Sequence, residues 1–119
     1  MKRFSLGMLI IAGAAVTTSS CKKANLTRDQ WTISSATDLE DGTNVTSDYA
    51  GEVWEYSKDG NYLENNSIKG TWAWGDGKKK LIITETDGSV DTYNVIKLKK
   101  NEMELELPTE ENIQLERLQ

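Results

Sequence analysis

The side chains able to do chemistry in this chain of 119 residues are few in kind. It holds no histidine and a single cysteine, Cys21, so the usual general base and the nucleophiles that depend on it are missing. Zinc sites built from cysteine and histidine go with them. Carboxylates are plentiful, and a pair of them could in principle cleave a glycosidic bond. The candidates Glu52, Glu55, Glu64 and Glu85, however, sit in alternating stretches where a solvated glutamate is ordinary, and nothing beside them marks an environment that shifts a pKa. In "EYSKDGNYLENN", Glu55, Ser57, Asp59 and Gly60 fall at positions one, three, five and six of a calcium loop, yet Asn66 stands where the twelfth-position glutamate belongs. It reads as a turn. The stretch "TDLEDGTNVTSD", with Asp38, Glu40, Asp41 and Asp48, reads as solvated loop charge. No enzyme, catalytic residue, metal or cofactor is expected.

What remains is binding through aromatic and apolar surface. Trp54 and Tyr56 lie two residues apart, as do Trp72 and Trp74, so each pair shares a face if its segment is a strand. These four are the candidate ligand-lining or core residues. Either they line a hollow that holds a small hydrophobic ligand, or they fill it.

The elements that must position them follow from the turns. Asp-Gly recurs at 41–42, 59–60, 76–77 and 87–88, and this pair tolerates the positive φ that tight hairpins require. Between the turns the chain is rich in Thr, Val, Ile, Tyr and Trp, with no helical period beyond the N-terminal segment. Strands are expected at 30–37, 52–58, 61–66, 68–75, 80–87, 89–99, 102–107 and 112–118. Eight short antiparallel strands in sequence form an up-and-down meander, which can close into a small β-barrel and so remove its exposed edges. A two-sheet sandwich is the alternative. In "EMELEL", Met103, Leu105 and Leu107 take one face and Glu102, Glu104 and Glu106 the wet one. In "TYNVIKL" the phase slips between Val95 and Ile96, where a β-bulge would restore the inward face. A charged outer face excludes an outer-membrane barrel, whose lipid side must be apolar.

The N-terminus supplies an address. Lys2 and Arg3 precede an apolar run from Phe4 to Val16, too short for the roughly 20 residues of a membrane-spanning helix, and small residues lead to Cys21. Residues 1–20 read as a signal peptide. "TTSSC" resembles the lipobox of bacterial lipoproteins, with Thr18 where an aliphatic residue is usual, and the resemblance implies cleavage before Cys21 and acylation of its sulfur by chains such as palmitate. Ordinary secretion with an incidental thiol is the alternative. Residues 21–28 are then a lipidated tether and 29–119 the folded domain. Without the first 20 residues the chain carries 12 basic and 19 acidic side chains, a net −7, which argues against a nucleic-acid partner. Lys22 and Lys23 beside the anchor either favour anionic headgroups or are simply solvated.

"LTRDQWTI", "VWEYSKDGNY", "GTWAWGDGKKKLIIT" and "YNVIKLKKNEMELEL", in this order behind a lipobox, resemble the small lipocalin-like domain of Gram-negative bacterial lipoproteins, with Asp29 where lipocalins proper usually carry glycine. The resemblance implies an antiparallel barrel on a lipid anchor in the cell envelope, on the outer membrane and facing the periplasm, with a small hydrophobic ligand or an envelope protein as partner. It also implies barrel closure by a late arginine stacked on the first-strand tryptophan, here Arg117 on Trp31; the alternative is an exposed Arg117 on a frayed end. A solid barrel acting as a structural or assembly lipoprotein is the second functional reading.

Overall fold

The computed structural model describes residues 22–118, so residues 1–20, read above as a signal peptide, and Cys21 lie outside the described residues. Eight strands follow in chain order: β1 (Trp31–Asp38), β2 (Val53–Tyr56), β3 (Asn61–Glu64), β4 (Ser67–Gly75), β5 (Lys80–Glu85), β6 (Val90–Leu98), β7 (Glu102–Leu107) and β8 (Glu111–Arg117). Each pairs antiparallel with the next, and β8 pairs back onto β1, closing the barrel. The sandwich alternative is therefore set aside. Closure leaves no sheet edge open.

Local chemistry explains the turns. Gly42, Gly60, Gly77 and Gly88, the glycines of the four Asp-Gly pairs, all have positive φ. The aspartates add a brace: the Asp87 carboxylate accepts from both the backbone N–H and the hydroxyl of Ser89, and Asp41 does the same for Thr43. These bonds hold both carboxyls below their ordinary range. The expected strand at 61–66 is shorter in the structure, because Asn65 and Asn66 both adopt positive φ and form the hairpin turn into β4. Asparagine is the ordinary alternative to glycine there.

Bulges set the curvature. The slip in β6 is present: Val95 pairs with Leu105 and Lys97 with Glu104, leaving Ile96 unpaired and exposed while Leu98 packs on the core. Further register shifts occur in β1 between Ile33 and Ser35 and in the β3–β4 pair after Tyr62. Beside the second, Gly70 brings β4 so close to β5 that a Cβ would overlap the Thr84 carbonyl oxygen and lie 2.8 Å from Glu85 Cα. Only glycine fits that corner.

Inward alternation fills the interior. Met103 and Leu105 of β7 are buried with Ile113 and Leu115 of β8, Leu81 and Ile83 of β5, and Ala36 of β1, while Glu102 before them is exposed and the intervening Glu104 half-buried. Residues 22–27, in the segment expected as a tether, are helical, and Leu26 is fully buried in the core. An apolar side chain five residues before the start of the first strand gains more from closing the barrel end than from staying in water. No helix among the described residues is long and apolar enough to cross a membrane.

Candidate functional site

Strand direction gives the barrel two ends. The helical turn at 22–27 and the turns at 57–60, 76–79 and 99–101 lie at one end, the base. The loop 39–52 and the turns at 65–66, 86–89 and 108–110 lie at the other, the mouth.

The base is closed by Trp31 and Arg117, which face each other across the β1–β8 pair. The Arg117 guanidinium stands 4.1 Å from the centre of the Trp31 ring. Its Nε and Nη2 donate to the Lys100 carbonyl, Nη1 to that of Asp29 and Nη2 to that of Asn25. Trp31 Nε1 donates to the Leu26 carbonyl at 3.1 Å. One arginine thus ties the last strand to the β6–β7 turn and to the N-terminal segment, and Arg117 is buried, not frayed.

Trp72 and Trp74 extend this plug. They meet edge to face with centroids 5.7 Å apart, and Trp72 Nε1 donates to the Ser57 carbonyl at 2.7 Å. Trp74 is half-buried, and its indole nitrogen is shielded from water with no hydrogen-bond acceptor among the described residues.

Trp54 and Tyr56 face inward on β2 and belong to a second aromatic set. Trp54 packs edge to face on Tyr49 of the long loop and on Tyr62 of β3, and Tyr62 packs on Tyr56, with centroids 5.9, 6.1 and 5.4 Å apart. The two candidate pairs therefore do not converge on one site: Trp72 and Trp74 seal the base, while Trp54 and Tyr56 join a chain of rings running to the mouth. Barrel strands tilt, so a single ladder row climbs from Arg117 and Trp31 at the base to Trp54 and Glu64 at the mouth.

Above these rings the inward positions become acidic. Residues directly opposite across an antiparallel pair share a face. Glu64 opposes Trp54, Glu85 opposes Gly70, Asp91 opposes Ile83 and Glu111 opposes Leu107, which turns all four carboxylates inward at the ends of their strands. Their hydrogen bonds agree. Tyr62 Oη donates to Glu64 Oε2 at 2.7 Å, Tyr49 Oη to Glu111 Oε1, and on the rim Trp54 Nε1 donates to Glu52 Oε1 at 2.9 Å. Burial first, then the charges of Asp91, Glu111, Glu64 and Glu85, push the Tyr93 hydroxyl above the ordinary tyrosine range. Glu85 is raised by burial and then by Asp87, Asp91 and Glu64. Among the described residues no group of carboxylates is close enough to hold a metal ion.

Of the glutamates weighed from sequence, Glu64 and Glu85 reach this cup and Glu52 its rim. Glu55 opposes Leu63 on the outer face, where it accepts from Gln30. Tyr49, Tyr62, Tyr93, Asp91 and Glu111 were not legible as a set, although the spacing of Asp91 from Tyr93 and of Glu64 from Tyr62 puts each carboxylate in phase with an inward ring. The arrangement offers an apolar aromatic floor and a ring of hydrogen-bond acceptors with negative charge. It offers no nucleophile. No protein-family model matches the chain and no curated protein matches it significantly, so the geometry of the barrel alone carries the functional reading.

Proposed function

We propose that this chain is a lipid-anchored lipoprotein of the bacterial cell envelope, lipocalin-like in architecture, and that its barrel is a non-catalytic binding module. Cys21 carries the anchor, and the barrel lies on the periplasmic side of the outer membrane. The mouth takes a small molecule with an apolar body and a hydrogen-donating or positively charged end. One observation carries this reading: Glu64, Glu85, Asp91 and Glu111 end four inward-facing rows at the mouth, above a chain of packed aromatic rings. Rings favour the apolar body and, over their faces, a cation, and the carboxylates at the mouth, of which Glu64, Asp91 and Glu111 are half-buried, select the polar end.

The test is a titration of the purified protein, followed by tryptophan fluorescence, with a long-chain alkylamine and with the fatty alcohol of equal chain length. Saturable binding of the amine, weakened at least several-fold for the alcohol and in Glu64→Gln/Asp91→Asn, is expected. Equal binding of both probes, or of neither, would sink the proposal.

A second reading is favoured by the ring-to-ring contacts of Tyr49, Trp54, Tyr62 and Tyr56, which occupy much of the interior. In it the barrel is a solid scaffold whose loop 39–52 docks on an envelope protein. Crosslinks from that loop that persist in Trp54→Leu would favour the scaffold over the ligand module.

A further inference from the structure

Charge is divided between the two ends of the barrel. The base segments 22–30, 57–60, 76–79 and 99–101 carry eight lysines and arginines against three aspartates, Asp29, Asp59 and Asp76, a net of +5. The mouth segments 39–52, 65–66, 86–89 and 108–110 carry six carboxylates and no cation. A protein with an overall acidic balance has thus gathered its positive charge on one face. Six of the eight cations are exposed, among them Lys23, Lys58, Lys99 and Lys100. They stand on four separate chain segments that meet only in the folded barrel.

Their neighbours hold them there. Arg117 ties the Lys99–Lys100 turn to the N-terminal segment through the carbonyls of Lys100 and Asn25, and Lys22 Nζ reaches the Lys78 carbonyl at 3.4 Å. Between the N-terminal segment and two of the turns runs an open groove of about 360 Å³ lined by Lys23, Ala24, Thr27, Lys58 and Lys78. Three lysines from three separate chain segments line it, which extends the cationic face into the groove, while the Thr27 hydroxyl donates to the Lys23 carbonyl. Lys22, which follows Cys21 in the sequence, lies at this face.

We infer that the base is a docking face for anionic phospholipid headgroups, with the groove taking a headgroup phosphate, so that the barrel stands on the bilayer with its acidic mouth turned away. This rests on the envelope reading for placing a bilayer at that end, but not on the mouth as a ligand site. Clustered lysines are attracted to an anionic surface, and the mouth is repelled by the same surface. Both effects set one orientation, and both weaken with salt.

The test uses the natural protein purified in mild detergent from whole cells and mixed with vesicles of phosphatidylcholine alone or with added phosphatidylglycerol. A water-soluble amine-acylating reagent is applied, and modification of each lysine is read by mass spectrometry. On anionic vesicles Lys58, Lys99 and Lys100 are expected to react several-fold more slowly than on neutral ones, while Lys69 on β4 is unchanged. High salt should abolish the protection, and millimolar inorganic phosphate should not. Lys58→Glu/Lys99→Glu, with near-ultraviolet circular dichroism unchanged, should lose it. Equal labelling on both vesicles overturns the proposal, as does protection that inorganic phosphate removes, which would mark a free-anion site. The anchor is judged separately by co-flotation with neutral vesicles, and a protein without one would still show the protection on anionic vesicles.

Discussion

Arg117 lies over the ring of Trp31 with its guanidinium 4.1 Å from the ring centre, and it spends its donors on three backbone carbonyls from two other segments. The pair joins the first and last strands, so the contact spans nearly the whole folded chain. Stacking contributes about 0.5 to 2 kcal/mol, and each hydrogen bond from a charged donor about 1.5 to 3 kcal/mol. Arg117→Ala should therefore lower the unfolding free energy by about 3 kcal/mol or more in urea titration. Arg117→Lys keeps the charge but not the fork, and should recover less than half of that loss. As a comparison, Lys97→Ala removes an exposed ion pair with Glu102 and should cost less than about 1 kcal/mol. Similar losses in all three variants would contradict a special role for the pair.

Gly70 is fixed by the close approach of β4 to β5 beside the register shift after Tyr62. Gly70→Ala should destabilise the barrel by about 3 kcal/mol or more, at the upper end of overpacking costs, because the atoms in the way are backbone. A thermal midpoint within a degree or two of the parent would show that the corner can relax.

The two adjacent tryptophans should respond differently to truncation. Trp72 loses its bond to the Ser57 carbonyl in Trp72→Phe, whereas Trp74→Phe removes an indole N–H that has no acceptor among the described residues. The first should cost about 1 kcal/mol more than the second in chemical denaturation, since a satisfied hydrogen bond is lost in one case and an unsatisfied donor in the other. The reverse order would place the unsatisfied donor elsewhere.

All four tyrosines of the chain, Tyr49, Tyr56, Tyr62 and Tyr93, have hydroxyls raised above the ordinary value, with burial as the first cause and carboxylate or tyrosinate neighbours next. An unfolded tyrosine releases its proton near pH 10, while the folded ones retain theirs. Above that pH the folded state binds more protons than the unfolded one, so stability is complete below about pH 10 and falls as pH rises further. Spectrophotometric titration should show the tyrosines ionising together with loss of near-ultraviolet circular dichroism. A separate titration of one or more tyrosines near pH 10 in the folded protein would contradict their burial.

Leu26 supplies a further check on the closed base. It is fully buried, and Trp31 Nε1 donates to its carbonyl. Leu26→Ala should cost about 2 to 5 kcal/mol, as for other core leucines. A loss under about 0.5 kcal/mol, the scale of surface substitutions, would return the segment to the status of a tether.

The barrel was legible in the sequence because its signals are local. Four Asp-Gly pairs mark turns, period-two alternation as in "EMELEL" marks faces, and the broken phase at Val95 and Ile96 marks the bulge. Arg117 on Trp31 came from resemblance, and the contact is present. Other features depend on neighbours far apart in the chain. Asn65-Asn66 makes a turn through positive φ that asparagine permits but does not require. Leu26 is one apolar residue in a polar stretch, and its burial depends on a barrel end that exists only after closure. The acidic cup needs strand tilt and cross-strand register to bring Glu64, Glu85, Asp91 and Glu111 around Tyr93. Spacing along the chain puts Glu64 and Asp91 in phase with Tyr62 and Tyr93 but does not show that the four carboxylates share one end.

The most direct measurement of the central claim follows the four tryptophan indole N–H signals by NMR as the alkylamine is added. Trp54 lies in the mouth, bonded to Glu52 and packed on Tyr49 and Tyr62, whereas Trp31 and Trp72 are bonded to Leu26 and Ser57 at the base. Binding at the mouth predicts a saturable shift of the Trp54 signal with those of Trp31 and Trp72 nearly still. Shifts confined to the base tryptophans, or no shift in any of the four, would contradict it.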